Sequence, residues 1–381
     1  MKDDKINTVL NLVARWFVGL VFLFSSFVKG VDPLGTTYKI EDYMTAWNIG
    51  SLTFEWALPM AGTLAMILIV LEFLVGVMLI TNSFKRLTAW TLAVMMVFFT
   101  VTTFVDALTN KVSDCGCFGD AVKLTNWQTF WKNVILDVPM AWILITRNVG
   151  RRKRTERDTL IAIGAVAVMV VFGVWNIKNE PCIDFRSWKV GNKMINEPQE
   201  GETFEVKSYL TYRNKSTEEV REFDSKEFMD YYNQPGFSEE WEFVDSRVVD
   251  PYLIKADGFS MLDLYGEDRA MEFVGSEDPV MICTVHHIND VDEAGARAMK
   301  MVREYTSENG VEMVLLTSAL EEDVEAFLYE NDMQDLLYFM ADETAIKAMM
   351  RSNPGFVLLK DSEVMGKWHY NKAVKILEYE F

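Results

Sequence analysis

The sequence from Ala57 to Ile80 is ALPMAGTLAMILIVLEFLVGVMLI, in which Glu72 is the only charged residue. A hydrocarbon layer of about 30 Å requires roughly 20 apolar residues in helical form, so this stretch predicts a membrane-spanning helix. Similar apolar stretches elsewhere in the first 177 residues are Val9–Val28, Leu87–Val105, Trp127–Thr146 and Thr159–Ile177. The first half of the chain is therefore expected to be a membrane bundle of five helices.

Two of these stretches need separate arguments. Val9–Val28 is interpreted as a retained anchor, because it follows both acidic and basic residues, exceeds the length of a signal-peptide core and lacks a small-x-small cleavage site. Trp127–Thr146 is the least hydrophobic, since it contains Lys132, Asp137 and Pro139. It is expected to pack inside the bundle or to lie partly at the membrane interface.

The charge of the chain is divided unequally between two halves. The 381 residues have a formal net charge of −19. Residues 1–176 have a net charge of +3 and residues 177–381 a net charge of −22. So acidic a chain is not expected to bind nucleic acid, whose phosphates attract Lys and Arg, and its 50% hydrophobic content argues against a disordered chain.

Basic residues near the spans predict the orientation. Lys85 and Arg86 lie between the second and third spans, and Arg147, Arg151, Arg152, Lys153, Arg154 and Arg157 lie between the fourth and fifth. Because cytoplasmic loops are enriched in Lys and Arg, the N-terminus is expected in the cytoplasm. The acidic residues after the fifth span are then expected outside, which for an inner-membrane protein is the periplasm.

The cysteines are the candidate reactive groups of the predicted outer face. Cys115 and Cys117 lie in the loop Ser113-Asp-Cys-Gly-Cys-Phe-Gly-Asp120, Cys182 follows the fifth span, and Cys283 lies far along the chain. A Cys-Gly-Cys disulfide closes a small ring in which unstrained geometry is difficult, so such a pair would exchange readily. The alternatives are structural disulfides, for example to Cys182, and a metal site, for which two thiols without a nearby His are too few.

The loop and the spans resemble the DoxX/MauE group of membrane proteins. The resemblance rests on Asp114-Cys-Gly-Cys-Phe-Gly119, on Asn126-Trp-Gln-Thr-Phe-Trp-Lys-Asn133, on Arg15, Gly19, Phe22 and Lys29 in the first span, and on Glu72. It covers about residues 8–147 and implies a four-helix bundle linked to thiol or sulfur redox chemistry. The whole chain resembles a Bacteroidetes protein type in which such a bundle precedes an extracytoplasmic domain. A quinone is the cofactor such a bundle could hold, although no residue requires one.

Ionisable residues within the spans are costly in a membrane and are candidates for function. Arg15 and Glu72 are expected to pair with each other, either for function or to fix the packing of two helices. Lys132 is expected to pair with Asp106 or Asp114.

The outer half divides into two regions. Phe204–Tyr212 and Glu219–Phe223 alternate across a polar turn and predict a β-hairpin, with Trp241–Val249 as a further strand. From about Phe259 strands alternate with helices, which predicts an α/β domain ending in an antiparallel pair. This last region resembles the thioredoxin fold, and Pro354 in Ser352-Asn-Pro-Gly-Phe356 matches its cis-proline.

The thioredoxin-like region departs from that fold family at its reactive turn. Thioredoxins have Cys-x-x-Cys after the first core strand, but here the turn is Val285-His-His-Ile-Asn-Asp290. Cys283 lies within the strand and is expected to be a buried apolar residue. His286 and His287 are adjacent and should point to opposite faces of a strand, which disfavours a shared metal ion.

The expected organisation is therefore a four-helix bundle over residues 1–148, a basic loop and fifth span over 149–178, a β-rich region over 179–258 and a degenerate thioredoxin-like domain over 259–381. The first hypothesis is a membrane thiol-disulfide oxidoreductase that acts on extracytoplasmic protein partners through Cys115 and Cys117, with Cys182 as a further participant. The second is a non-enzymatic assembly protein whose ectodomain binds partners and whose cysteines are structural.

Overall fold

The computed structural model describes residues 2–46, 55–110, 112, 117–146, 155–195, 207–216, 219–232, 236–249 and 259–381. The chain divides into two compact units, Met1–Arg186 and Ser187–Phe381. Cys115, Asp114 and the basic loop residues 147–154 lie outside the described residues.

The first unit is helical. Its helices are α1 (Lys2–Val31), α2 (Pro33–Ala46), α3 (Ala61–Thr81), α4 (Lys85–Thr109), α5 (Asn126–Ile145) and α6 (Glu156–Lys178), with a 3-10 turn at Glu55–Met60. Among the described helices, four segments are long and apolar enough to cross a membrane: Ile6–Val31, Trp56–Thr81, Lys85–Thr109 and Glu156–Lys178. The chain is thus a multi-pass membrane protein surrounded by lipid.

Helix α5 falls short of that apolar criterion, and its packing explains why its polar residues are tolerated. Thr125 caps its first turn in a capping box with Gln128. The Asn133 amide donates to Thr103 Oγ1 on α4 over 3.1 Å, and Thr100 of α4 donates to Asp137 Oδ2 over 2.9 Å. The polar side of α5 therefore faces α4, as the expectation of a helix packed within the bundle requires.

Helix α2 lies in a segment for which the sequence predicted no element. The Tyr43 hydroxyl of this helix donates to Asp106 Oδ2 over 2.6 Å. Asp106 is completely buried, so a carboxylate near the end of α4 is held by a helix rather than by water.

Two glycines allow α1 and α3 to approach closely. A Cβ atom at Gly19 would lie 3.0 Å from Ile80 Cγ1 and 3.2 Å from the Gly76 carbonyl oxygen. A Cβ at Gly76 would lie 3.1 Å from the Gly19 carbonyl oxygen. Small residues at a helix crossing let the two backbones come together in a membrane, and this contact sets the register of α1 against α3.

The second unit begins with a three-stranded antiparallel sheet. Its strands are β1 (Lys207–Asn214), β2 (Val220–Asp224) and β3 (Trp241–Val249), in the order β2-β1-β3. The predicted hairpin and third strand are both present. Two short helices that the sequence did not predict, α7 (Ser225–Tyr232) and α8 (Phe237–Glu240), contribute Phe228 and Phe237 to a small core with Phe223.

The remainder of this unit is an α/β layer structure. After α9 (Ala270–Val274) come β4 (Val280–Val285), α10 (Glu293–Glu308), β5 (Glu312–Thr317), α11 (Glu321–Glu330), β6 (Leu337–Met340), α12 (Glu343–Met349), β7 (Gly355–Lys360), β8 (Glu363–His369) and a 3-10 helix at Tyr370–Glu378. The sheet order is β6-β5-β4-β7-β8, with β4, β5 and β6 parallel and β7 and β8 antiparallel. This arrangement agrees with the predicted thioredoxin-like domain.

The central strand β4 is buried on both faces. Val280 and Ile282 belong to one hydrophobic cluster, and Met281, Cys283 and Val285 to the cluster on the opposite face. All of its residues are buried, as expected for a strand covered by helices on both sides. The peptide bond between Asn353 and Pro354, just before β7, is cis.

Replacing Gly19 with leucine is expected to destabilise the bundle. The new side chain must displace the backbone at Gly76, and overpacking of this kind costs about 1–3 kcal/mol. Thermal unfolding of the purified protein in detergent measures the effect. Gly164→Leu is the matched control, because a Cβ at Gly164 would meet no atom within 4 Å, and equal losses for the two variants would contradict the proposed contact.

Candidate functional site

A buried ion pair joins the first and third helices. The Lys29 ammonium lies 2.5 Å from Glu72 Oε1, and the two side chains are only 7% and 2% exposed. The predicted pairing of Arg15 with Glu72 is wrong. Because α1 and α3 run antiparallel, Arg15 lies opposite Leu79, whose carbonyl oxygen accepts from Arg15 Nη1 over 3.2 Å. Leu79 is seven residues from Glu72, about 10 Å along a helix.

Ser25 connects this ion pair to the cysteine loop. Its hydroxyl lies 2.9 Å from Glu72 Oε2 and 2.8 Å from the carbonyl oxygen of Cys117. One hydroxyl proton serves both acceptors, so it is shared or alternates between them. The main chain at Cys117 is therefore held against α1, next to the buried Glu72 carboxylate.

The residues after Cys117 lie on the last turns of α1. The Phe118 ring packs edge-on against Phe24, with centroids 5.4 Å apart, and the Lys132 ammonium lies 4.4 Å from the centroid of Phe118. Lys132 thus makes a cation–π contact instead of the predicted pair with Asp106, and its other predicted partner, Asp114, lies outside the described residues. Gly119 has φ +49°, and a Cβ there would lie 3.2 Å from Val28 Cγ1, so the turn requires glycine.

Cys182 is held at the same end of α1. Its backbone N–H donates to Asn176 Oδ1 over 2.9 Å, and the Asn176 amide donates to the Gly30 carbonyl oxygen over 3.1 Å. Gly30 is five residues beyond Ser25, a rise of about 7.5 Å. Cys182 is exposed and has a free thiol. The structure therefore brings the main chains at Cys117 and Cys182 to neighbouring turns of one helix.

A buried arginine fixes the segment that carries Cys182. Arg186 Nε lies 2.8 Å from Asp184 Oδ1, and Arg186 Nη2 lies 3.2 Å from Glu180 Oε2. Burial alone would lower the pKa of Arg186, but the carboxylates of Asp184, Glu180 and Asp32 raise it above its usual value. The guanidinium therefore stays charged and orders the chain after α6.

The structure adds Ser25, Asn176 and Arg186 to the residues found by sequence reasoning. A serine or asparagine in an apolar helix gives no sign of its partner. The sequence did contain a usable signal for Arg186, since Glu180, Asp184 and Arg186 form a charged group directly after a span. Lys29 entered through the family resemblance, but the sequence did not identify its partner.

The second unit contains a polar cleft at the turn where thioredoxins have their dithiol. The cleft has a volume of about 310 Å³, and His286, His287, Ser318, Asp323 and Glu343 line it. It lies at the carboxyl ends of β4 and β5, the edge at which open α/β sheets bind ligands. His287 Nε2 lies 3.1 Å from Glu343 Oε1, which also pairs with Lys347 at 2.5 Å.

Asn353 ties this turn to the cis-proline. Its amide donates to the His287 carbonyl oxygen over 2.7 Å, and the His287 N–H donates to Asn353 Oδ1 over 3.3 Å. Cys283, the only cysteine of the second unit, is fully buried with a free thiol. Burial raises the pKa of that thiol above its usual value, so it is a poor nucleophile. The second unit has no dithiol of its own.

The first 146 residues are similar to a known protein family. Residues 7–146 match the family model of methylamine utilisation protein MauE. The MauE match covers somewhat more than a third of the chain and includes Ser25, Lys29, Glu72, Cys117 and Lys132 but not Cys182.

A solved structure is similar to part of the chain. It is the thioredoxin domain of a thiol-disulfide oxidoreductase from Bacteroides vulgatus, with 14% identity, 32% of this chain and 94% of that chain covered, and a TM-score of 0.25. No curated protein matches the sequence. In the described residues, no group of three or more His, Cys, Asp or Glu side chains is placed to hold a metal ion.

The second unit is expected to become less stable as the pH is lowered, because of His286. Burial, followed by the charges of His287 and Lys347, lowers the pKa of His286 to about 4 from 6.5. Between these pH values the unfolded chain binds a proton that the folded chain does not, so stability falls as the pH decreases through this window. The slope should approach roughly 1.4 kcal/mol per pH unit.

Thermal unfolding of the full chain between pH 4 and pH 7 measures this slope. His286→Gln should flatten it, whereas the matched control His287→Gln, at the exposed neighbour, should retain most of it. Identical slopes for the wild type and His286→Gln would contradict the assignment.

Proposed function

We propose that the protein exchanges disulfides with extracytoplasmic partner proteins through Cys115 and Cys117. In this reaction a thiolate of the pair attacks a partner disulfide, a mixed disulfide forms, and the second thiol of the pair resolves it. The Cys115–Cys117 disulfide is then formed and the partner is left with two thiols, so two electrons and two protons pass to the partner. The reverse direction uses the same steps.

The anchoring of Cys117 is the observation on which this proposal rests. The Ser25 hydroxyl holds its carbonyl oxygen beside the buried Glu72, and Phe118 and Gly119 fix the residues that follow. A fixed main chain suits a cysteine that must present one sulfur repeatedly. The MauE match over these residues supports the same role, since the resemblance implies thiol-linked chemistry.

Cys182 is proposed as a third participant. It is exposed, has a free thiol and is tied through Asn176 to the helix that holds Cys117. An exposed thiol in this position could accept the disulfide from the pair or return it. The protein is proposed to lie in the inner membrane with its N-terminus in the cytoplasm, so that these cysteines and the second unit face the periplasm.

The second unit is proposed to hold the partner. It keeps the sheet and the cis-Pro354 turn, but histidines occupy the position of the dithiol, and Cys283 is buried. This feature also favours the second candidate function, a non-enzymatic assembly protein in which the ectodomain binds partners and the cysteines are structural. The two functions differ in whether Cys115 and Cys117 change redox state.

Alkylation with a mass tag distinguishes them. The full-length protein in lipid nanodiscs is equilibrated in glutathione buffers from about −150 to −330 mV, and the tagged thiols are then counted. If the pair exchanges disulfides, Cys115 and Cys117 should gain their tags together as the buffer becomes more reducing, in one two-electron step. Cys117→Ser should leave Cys115 as a mixed disulfide with glutathione, and Cys283→Ser, the buried control, should leave the step unchanged. A constant tag number at Cys115 and Cys117 across the range would favour the assembly role.

A further inference from the structure

A small polar pocket lies at the opposite end of α1 from the cysteines. It is enclosed by Asn11 and Arg15 of α1, by Asn82 and Lys85 at the turn between α3 and α4, and by Thr146 at the end of α5. These side chains lie beside the last residues of α3 and α5 and the first residue of α4. Because several membrane-spanning helices end at the same depth only where the bundle leaves the membrane, the pocket opens at a membrane interface.

Arg15 enters this pocket without a carboxylate partner among the described residues. One of its Nη atoms donates to the Leu79 carbonyl oxygen, but its Nε is buried and has no hydrogen-bond partner in the described part of the chain. None of the residues that line the pocket is acidic. A guanidinium in a membrane-spanning helix is costly unless an opposite charge meets it, so the pocket is poised for an anion.

A carboxylate that contacts the pocket wall, that of Asp158, has its own donors. Ser83, at the pocket wall, donates to Asp158 Oδ1 over 3.1 Å. The N–H and hydroxyl of Thr155 lie 3.0 Å from Asp158 Oδ2. Asp158 Oδ2 thus caps the start of α6 and Oδ1 accepts from the α3–α4 turn, so both oxygens already have donors.

The size of the pocket limits what can enter. Its volume of about 20 Å³ holds roughly one water-sized group. One oxygen of a phosphate fits, with the rest of the group at the mouth, where Asn11, Arg15 and Lys85 are half-buried. A sugar or another bulky headgroup does not fit inside.

The surroundings favour a lipid as the source of the phosphate. Trp16 and Trp90 are exposed near this level, and tryptophan is enriched at membrane interfaces. Lys85, Arg86 and the basic residues of 147–157 are concentrated on the same side of the membrane in the predicted topology. Basic pockets between helices on the cytoplasmic side bind anionic headgroups.

We propose that the pocket formed by Arg15, Lys85 and the ends of α3 and α5 binds the phosphate of an anionic phospholipid. Arg15 Nε and the Lys85 ammonium donate to the phosphate oxygens, while the acyl chains lie against the apolar surface of α1. The bound lipid neutralises Arg15 and joins the ends of three helices. This site is independent of the cysteine loop.

Native mass spectrometry of the full-length protein tests the proposal. The protein is exchanged into phosphatidylglycerol, into zwitterionic phosphatidylcholine, or into phosphatidylcholine with millimolar inorganic phosphate, and retained adducts are counted. The wild type should retain phosphatidylglycerol, and Arg15→Gln should weaken retention about tenfold, the loss expected for a charge-assisted contact. Arg86→Gln removes the same charge from an exposed neighbour and should change retention less than about twofold.

Three outcomes would overturn the proposal: equal losses for Arg15→Gln and Arg86→Gln, equal retention of the two lipids, or adducts with inorganic phosphate that match those with phosphatidylglycerol. Arg15→Lys keeps the charge and should restore at least part of the retention. Unfolding temperatures in phosphatidylcholine establish that each variant is folded, and a folded Arg15→Gln protein with unchanged retention also contradicts the site.

Discussion

The Lys29 ammonium and the Glu72 carboxylate meet at 2.5 Å inside the bundle, and both side chains are almost completely shielded. Removing either partner would leave a charge in a medium that cannot solvate it, at a cost of about 3–5 kcal/mol. The pair thus fixes α1 against α3, and the Gly19–Gly76 contact gives the two helices the register that makes it possible. The Ser25 hydroxyl, which lies beside both Glu72 and the carbonyl oxygen of Cys117, then links this pair to the cysteine loop.

Sequence reasoning succeeded where a single local signal decides the structure. Apolar length placed the helices, and alternation with turn residues placed the strands of the second unit, including β3 at its observed limits. The partner of Glu72 could not be found in this way, because it depends on the register of two helices rather than on either sequence. Arg15 and Lys29 are both cations of α1, and only the close approach at Gly19 decides which of them reaches Glu72. Helix α2 was missed because its amphipathic pattern is weak.

In the proposed function, the two units contribute different parts of thiol exchange. The helical unit has Cys117 anchored next to a buried ion pair, and its described residues include no strand. The second unit has the sheet, the cis-proline and a polar cleft, but its only cysteine lies within the core. Most of the acidic charge after residue 177 lies in this second unit, whereas Glu180 and Asp184 hold Arg186 beside Cys182. At the other end of α1, Arg15 meets a pocket suited to lipid phosphate.

The most direct test of the central claim is the alkylation rate of Cys117 as the only cysteine of the chain, after Cys115, Cys182 and Cys283 are replaced by serine. A hydrophilic maleimide reports how often the loop leaves α1. Ser25→Ala should raise the rate about fivefold, the population change that corresponds to a hydrogen bond of about 1 kcal/mol. Glu72→Leu should also raise it, because the unpaired Lys29 ammonium loosens α1 against α3, whereas Arg86→Gln should have no effect. Equal rates for Ser25→Ala, Glu72→Leu and the parent protein would contradict the claim that the buried pair holds the cysteine loop.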